Sequence, residues 1–193
     1  MKLLSTLAVT AAALAFVMPA AALSVYTTPL SGLNENPQTP SPATGAALVT
    51  IDQVNSTMRV EVTFAGLIGG NATAGHIHCC IAAPGNIPVS VGFPSFPPAM
   101  SGTYDRLFDM TNSAVYTASF RNTFGSGTAA GSFSALIAGL NAGTAYVNIH
   151  NTGFPPGEIR GFLQAVPEPG TWALMLGGLG LVGAAVKHRR SAA

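Results

Sequence analysis

The chain has 193 residues, a nearly balanced charge with eight Lys and Arg against seven Asp and Glu, and 48% hydrophobic residues. With its apolar and basic ends set aside, the remainder carries Arg59, Arg106, Arg121 and Arg160 against Glu35, Asp52, Glu61, Asp105, Asp109 and Glu158. This slightly acidic mixture has no basic stripe and excludes a nucleic-acid footprint, and no Ser/His/Asp order, phosphate loop or carboxylate pair supports a hydrolase.

The N-terminal stretch reads as an address. Met1-Lys2 precedes an apolar run from Leu3 to Val17, and Ala20-Ala21-Ala22 supplies a signal-peptidase pattern, so residues 1–22 are expected to leave and the mature chain to begin near Leu23.

A first strand is expected within Leu23 to Leu33, followed by a Pro-rich loop from Asn34 to Pro42. Gly45 to Ile51 is strand-like, Asp52 to Ser56 turns, and Met58, Val60, Val62 and Phe64 alternate with Arg59, Glu61 and Thr63 as the second arm of a hairpin. The loop of Gly66 to Gly75 leads into Gly75-His76-Ile77-His78-Cys79-Cys80, an extended segment with both imidazoles on one face, roughly 6.6 Å apart along the strand. Pro84-Gly85-Asn86 turns, Ile87 to Phe93 forms another strand, and Pro94 to Gly102 is excluded from a sheet by its prolines. Val115, Thr117 and Ser119 alternate with Tyr116, Ala118 and Phe120, which predicts a strand, and Asn122 to Gly131 predicts a loop. Phe133, Leu136, Ile137 and Leu140 have helical spacing, ended by Asn141-Ala142-Gly143. Tyr146 to His150 alternates again, Asn151 to Gly157 turns, and Glu158 to Leu163 pairs back.

The expected fold is therefore mainly β, with seven or eight short strands in an antiparallel sandwich or Greek-key barrel over residues 23–165. Past Val166-Pro167-Glu168-Pro169-Gly170, residues 171–186 are uncharged and apolar and Lys187-His188-Arg189-Arg190 is basic, the pattern of one C-terminal transmembrane helix with a cytoplasmic tail. Its 16 residues give roughly 24 Å, short of a roughly 30 Å hydrocarbon core, so flanking residues or local thinning must help.

The histidines carry the sharpest chemistry. His76 and His78 can aim two nitrogens at one point and His150 can add a third, a neutral set that suits copper or zinc. The alternative is that His76 and His78 bond backbone or carboxylate groups while His150 anchors the following turn. Cys80 shares the histidine face by alternation and is a lesser candidate ligand, against a buried thiol or an intermolecular disulfide; a bond between neighbours Cys79 and Cys80 is disfavoured by strand geometry. Glu158 and Arg160 fall on one strand face and read as a surface or rim salt bridge, with Arg160 otherwise a candidate anion guide.

Two resemblances emerge from these residues. Leu30-Ser31-Gly32 with Glu35-Asn36-Pro37, Gly45-Ala46-Ala47, Ala74-Gly75-His76-Ile77-His78-Cys79, Gly143 to Asn151 and Pro156-Gly157-Glu158-Ile159-Arg160-Gly161 resemble a CHRD domain, the module repeated in chordin, across nearly all of residues 23–165. That resemblance implies an immunoglobulin-like or superoxide-dismutase-like sandwich without an established activity, although a dinuclear copper/zinc dismutase centre needs more histidines than the three here. Residues 166–193 resemble a PEP-CTERM sorting signal, with Pro167, Glu168 and Pro169 near the cut made by a partner exosortase. This implies a Gram-negative-type bacterium and an exported protein of the surface or extracellular matrix.

The expected role is thus non-catalytic, binding or structural, with no catalytic residues and no established cofactor. A matrix or surface protein or polysaccharide is a possible partner, as is a protein partner by analogy with chordin. The competing expectation is a mononuclear copper or zinc protein, with redox activity if copper.

Overall fold

The computed structural model describes residues 23–167, 177–182 and 187. The expected signal peptide, Glu168, Pro169, most of the apolar span and residues 188–190 lie outside the described residues. Residues 177–182 are helical, and among the described residues no helix is long and apolar enough to cross a membrane.

The domain is mainly β. Its strands are β1 (Ser24–Ser31), β2 (Thr44–Asp52), β3 (Thr57–Ala65), β4 (Ala72–Cys79), β5 (Val89–Gly92), β6 (Gly102–Asp109), β7 (Ala145–Asn151), β8 (Ile159–Phe162) and β9 (Gln164–Ala165). They form one sheet in the order β5-β4-β7-β8-β1-β2-β3-β6, with β9 added to β1, and every pairing is antiparallel. The β2–β3 hairpin follows from alternation: Ala47, Val49 and Ile51 with Met58, Val60, Val62 and Phe64 are buried, while Arg59 points to solvent. The Asp52 carboxylate closes its turn by accepting from the Val54 and Asn55 amides at 3.0 and 2.9 Å.

The sheet rolls on itself. Phe93, just past one edge strand, stacks on Tyr104 of the other edge strand at 5.2 Å between ring centres. Phe96 lies against both Phe64 and Tyr104, so the Pro-rich segment plugs the seam between the edges. That segment is outside the sheet, as its prolines require.

Three elements differ from the sequence expectation. Val115 to Phe120 is not a strand: residues 113–115 form a 3-10 turn and Ala118–Thr123 is helix α1, with only an isolated bridge from Tyr116 to Val91. Thr117 caps α1, its hydroxyl accepting from the Phe120 amide at 3.2 Å, and Tyr116, Phe120 and Phe124 stack at four-residue spacing, a helical signal that the local alternation masked. Strand β6 gave no clear pattern because, between buried Tyr104 and Phe108, its three intervening residues are exposed. Helix α2 (Ala129–Asn141) starts before the expected Phe133, set by the Thr128 hydroxyl accepting from the Gly131 amide at 3.0 Å.

Candidate metal centre

The inward face of the sheet holds the apolar core. Its outward face at β4, β7 and β8 is built differently. Antiparallel register places His76 opposite Asn148, His78 opposite Tyr146, and Asn148 in turn opposite Arg160. Because successive side chains alternate, His76 and His78 share this face with Tyr146, Asn148 and His150. The three imidazoles meet: ring centres are 4.9 Å apart for His76 and His150, 5.8 Å for His76 and His78, and 6.1 Å for His78 and His150. One nitrogen from each lies within 4.8 Å of the others.

Each outer nitrogen of two of the rings has a backbone partner. His78 Nδ1 lies 2.6 Å from the Ile87 carbonyl and His150 Nδ1 lies 2.8 Å from the Pro155 carbonyl, which makes both Nδ1 atoms N–H donors. Their Nε2 atoms are then unprotonated acceptors, and both are buried without a partner, as is His76 Nδ1. Fixing one nitrogen on a carbonyl so that the other is free is how metal-binding histidines are oriented. Burial, followed by the proximity of His150 and His78, holds His76 down at about 4; burial likewise takes His78 to about 4 against the pull of its Ile87 contact, and lowers His150. All three are neutral imidazoles near neutral pH.

Two buried charged residues anchor the loops around this face. Arg160, 1% exposed, donates from Nε to the Asn34 carbonyl at 2.5 Å and from its terminal nitrogens to the Pro84 and Gly85 carbonyls and to Asn86 Oδ1, at 2.8, 3.3 and 2.6 Å. It thereby holds the segment ending at Ile87. Glu158, wholly buried, accepts from Ser41 Oγ at 2.5 Å, the Ile68 and Gly69 amides at 2.7 and 3.1 Å, and Asn151 Nδ2. Burial pushes its carboxyl up, but these donors outweigh burial and hold it below the usual range.

The expected rim pair between Glu158 and Arg160 is therefore not made, nor is Arg160 placed to guide anions: each group reaches into a different loop, and Arg160 instead faces Glu35 at 3.7 Å. Burial raises Glu35 to about 7 against the attraction of Arg160. Cys80 does not join the histidines. The strand alternation that put it on their face ends at Cys79, and its sulfur is bonded to that of Cys79, packed on the Gly139 backbone of α2. Pro167 lies just past β9, outside any element.

Sequence reasoning named the three histidines and placed Tyr146 and Asn148 on the face of His150, as the register confirms. Glu35 was marked only as part of the Glu35-Asn36-Pro37 motif, and its approach to Arg160 from a loop distant in sequence was not read.

Comparison with protein families gives two matches, the CHRD domain over residues 26–163 and the PEP-CTERM protein-sorting motif over residues 165–190. No curated protein and no solved structure matches the chain. The first match runs from within β1 to just past β8 and takes in both helices, and the second begins within β9; the chain belongs to the CHRD-domain family and ends in a PEP-CTERM signal, the mark of an exported protein sorted by an exosortase.

Proposed function

We propose that this protein is an exported, non-catalytic binding module that holds one copper or zinc ion through His76, His78 and His150. The observation that carries the reading is the convergence of three buried, unpartnered imidazole nitrogens within 4.8 Å, two of them turned inward by backbone carbonyls. Tetrahedral coordination at about 2.0–2.1 Å places ligand nitrogens roughly 3.4 Å apart, so small side-chain rotations close the site. Three neutral nitrogens suit zinc and copper alike. Bound zinc would cross-link β4 and β7, and bound copper would add one-electron redox capacity.

Residues 171–186 hold the precursor in the membrane with the basic tail inside, and the domain faces the periplasm or exterior until the exosortase cuts near Pro167, Glu168 and Pro169. The helical residues 177–182 support this. The product then sits on the cell surface or in the extracellular matrix, against a surface protein or polysaccharide.

The test is elemental analysis of the exported protein, purified without a histidine tag, beside a triple variant His76→Ala/His78→Ala/His150→Ala. Near-stoichiometric copper or zinc that disappears in the variant is the expected result. No metal, with equal melting temperatures for both proteins in added copper or zinc, overturns the reading and leaves a purely structural or adhesive module.

A further inference from the structure

Asn148 has an unmet hydrogen-bonding capacity that the three ligands do not account for. Its side chain is buried, with 2% exposure. The amide nitrogen donates to the Pro156 carbonyl at 3.2 Å, which fixes which end of the amide is nitrogen and leaves Oδ1 as an acceptor. Oδ1 is buried and receives no hydrogen bond. The amide is also locked in place: Gly157 adopts φ of +136°, and a Cβ there would run into the Asn148 side chain, so backbone closes over it. In register Asn148 stands opposite His76, and it is two residues before His150 on the same face. The Asn148 side chain therefore stands on the face that carries the imidazole cluster.

A buried amide oxygen without a donor is costly, and native interiors rarely leave one. An amide oxygen is also a hard, weak ligand for copper or zinc beside three imidazoles. Three protein ligands leave a fourth position open. We infer that Asn148 Oδ1 accepts a hydrogen bond from a small protic ligand, water or hydroxide, held at that fourth position, and so selects protic ligands over aprotic anions of similar size. This rests on the metal reading above and specifies what the site takes besides the ion.

The probe is azide, an anion without a proton to donate, titrated into the copper(II)-loaded exported protein and followed by the azide-to-copper charge-transfer absorption. In the native protein azide must displace the ligand that Asn148 holds and leave Oδ1 unpaired. Asn148→Leu removes that discrimination, so azide is expected to bind about five- to tenfold more tightly, with copper still stoichiometric. Equal or weaker azide binding in a copper-loaded variant overturns the role of Asn148 while leaving the metal centre standing. A native protein that takes up no copper overturns the metal reading itself, and this inference with it. Should Asn148→Leu not fold, Asn148→Ala, which also removes the acceptor, is titrated with azide in its place and read by the same outcomes.

Discussion

His78 lies flat against Tyr146, their ring centres 4.6 Å apart and their planes within 3° of parallel. The phenol ring is itself held from the other side of the face, by Phe162 at 5.0 Å and by the Arg160 guanidinium at 4.9 Å from its centre. The stack restricts rotation of the His78 ring, as the Ile87 carbonyl restricts it at Nδ1. Tyr146→Leu is expected to weaken metal binding about 10- to 100-fold, the usual effect of losing a group that orients a ligand. Tyr146→Phe keeps the stack and loses the two long hydroxyl contacts with Ile87, one accepted from its amide and one donated to its carbonyl, each at 3.4 Å, so it should stay close to native. Competition against a chromophoric chelator measures both, and equal losses in the two variants would assign the effect to the hydroxyl instead.

Acid should destabilise the metal-free domain across a defined window. His76 and His78 have folded values of about 4 against an ordinary 6.5, so between those limits the unfolded chain binds more protons than the folded one. The histidine contribution to stability is fully present above about pH 6.5, falls as pH drops, and is gone below about 4. Glu35 works in the opposite direction: raised from 4.5 to about 7, it favours the fold when protonated, and that contribution is lost as pH rises through 7. Glu35→Gln removes the opposing slope, and thermal melts from about pH 4 to 8 should show the histidine slope more steeply in the variant than in the native domain. A flat profile in Glu35→Gln would mean that water reaches the imidazoles.

Arg160 is a clamp on two loops more than half of one ion pair. Arg160→Met removes five polar contacts and leaves the Glu35 carboxyl buried beside an apolar chain, for an expected loss of about 3–5 kcal/mol in urea unfolding. Adding Glu35→Gln should recover part of it, because the orphaned carboxylate goes with it. A loss below about 1 kcal/mol in Arg160→Met would show that the loops at Asn34 and Pro84 are anchored by other contacts.

The disulfide and α2 form a second coupled pair. A Cβ on Gly139 would fall onto both Cys79 and Cys80 sulfurs, so Gly139→Ala must push the helix outward despite alanine's better helix propensity. The expected cost is about 1–3 kcal/mol, shrinking when the same change is made in a Cys79→Ala/Cys80→Ala background. Equal costs in the two backgrounds would place the obstruction elsewhere.

Alternation made the β2–β3 hairpin and the β4 and β7 strands legible, and with them the shared face of the histidines, because a half-buried strand writes its two faces directly into its residue order. It misled at Val115 to Phe120, where the pattern of small and large residues ran into a short helix capped by Thr117, with Tyr116 and Phe124 flanking it and packing on Phe120. It was silent at β6, an edge strand whose outward residues are free to vary. The fates of Glu158 and Arg160 were illegible for another reason. Their partners are backbone groups of loops remote in sequence, and a backbone amide or carbonyl leaves no mark on residue identity. The same holds for Ile87 and Pro155, which orient two of the three imidazoles through carbonyls that any residue could have offered.

The short pairing of β9 with β1 has a mechanical meaning. Ala165 faces Tyr26, Gln164 faces Thr27, and the Val166 amide donates to the Val25 carbonyl at 2.8 Å, so the chain leaves the domain alongside the strand by which it enters. Tension on the segment beyond Val166 is borne first by these few hydrogen bonds and by the first residues of β1, at the opposite end of β8 from the turn that carries Pro155. A tether placed there can give way like a fuse, lengthening under load while the strands that carry the histidines keep their register.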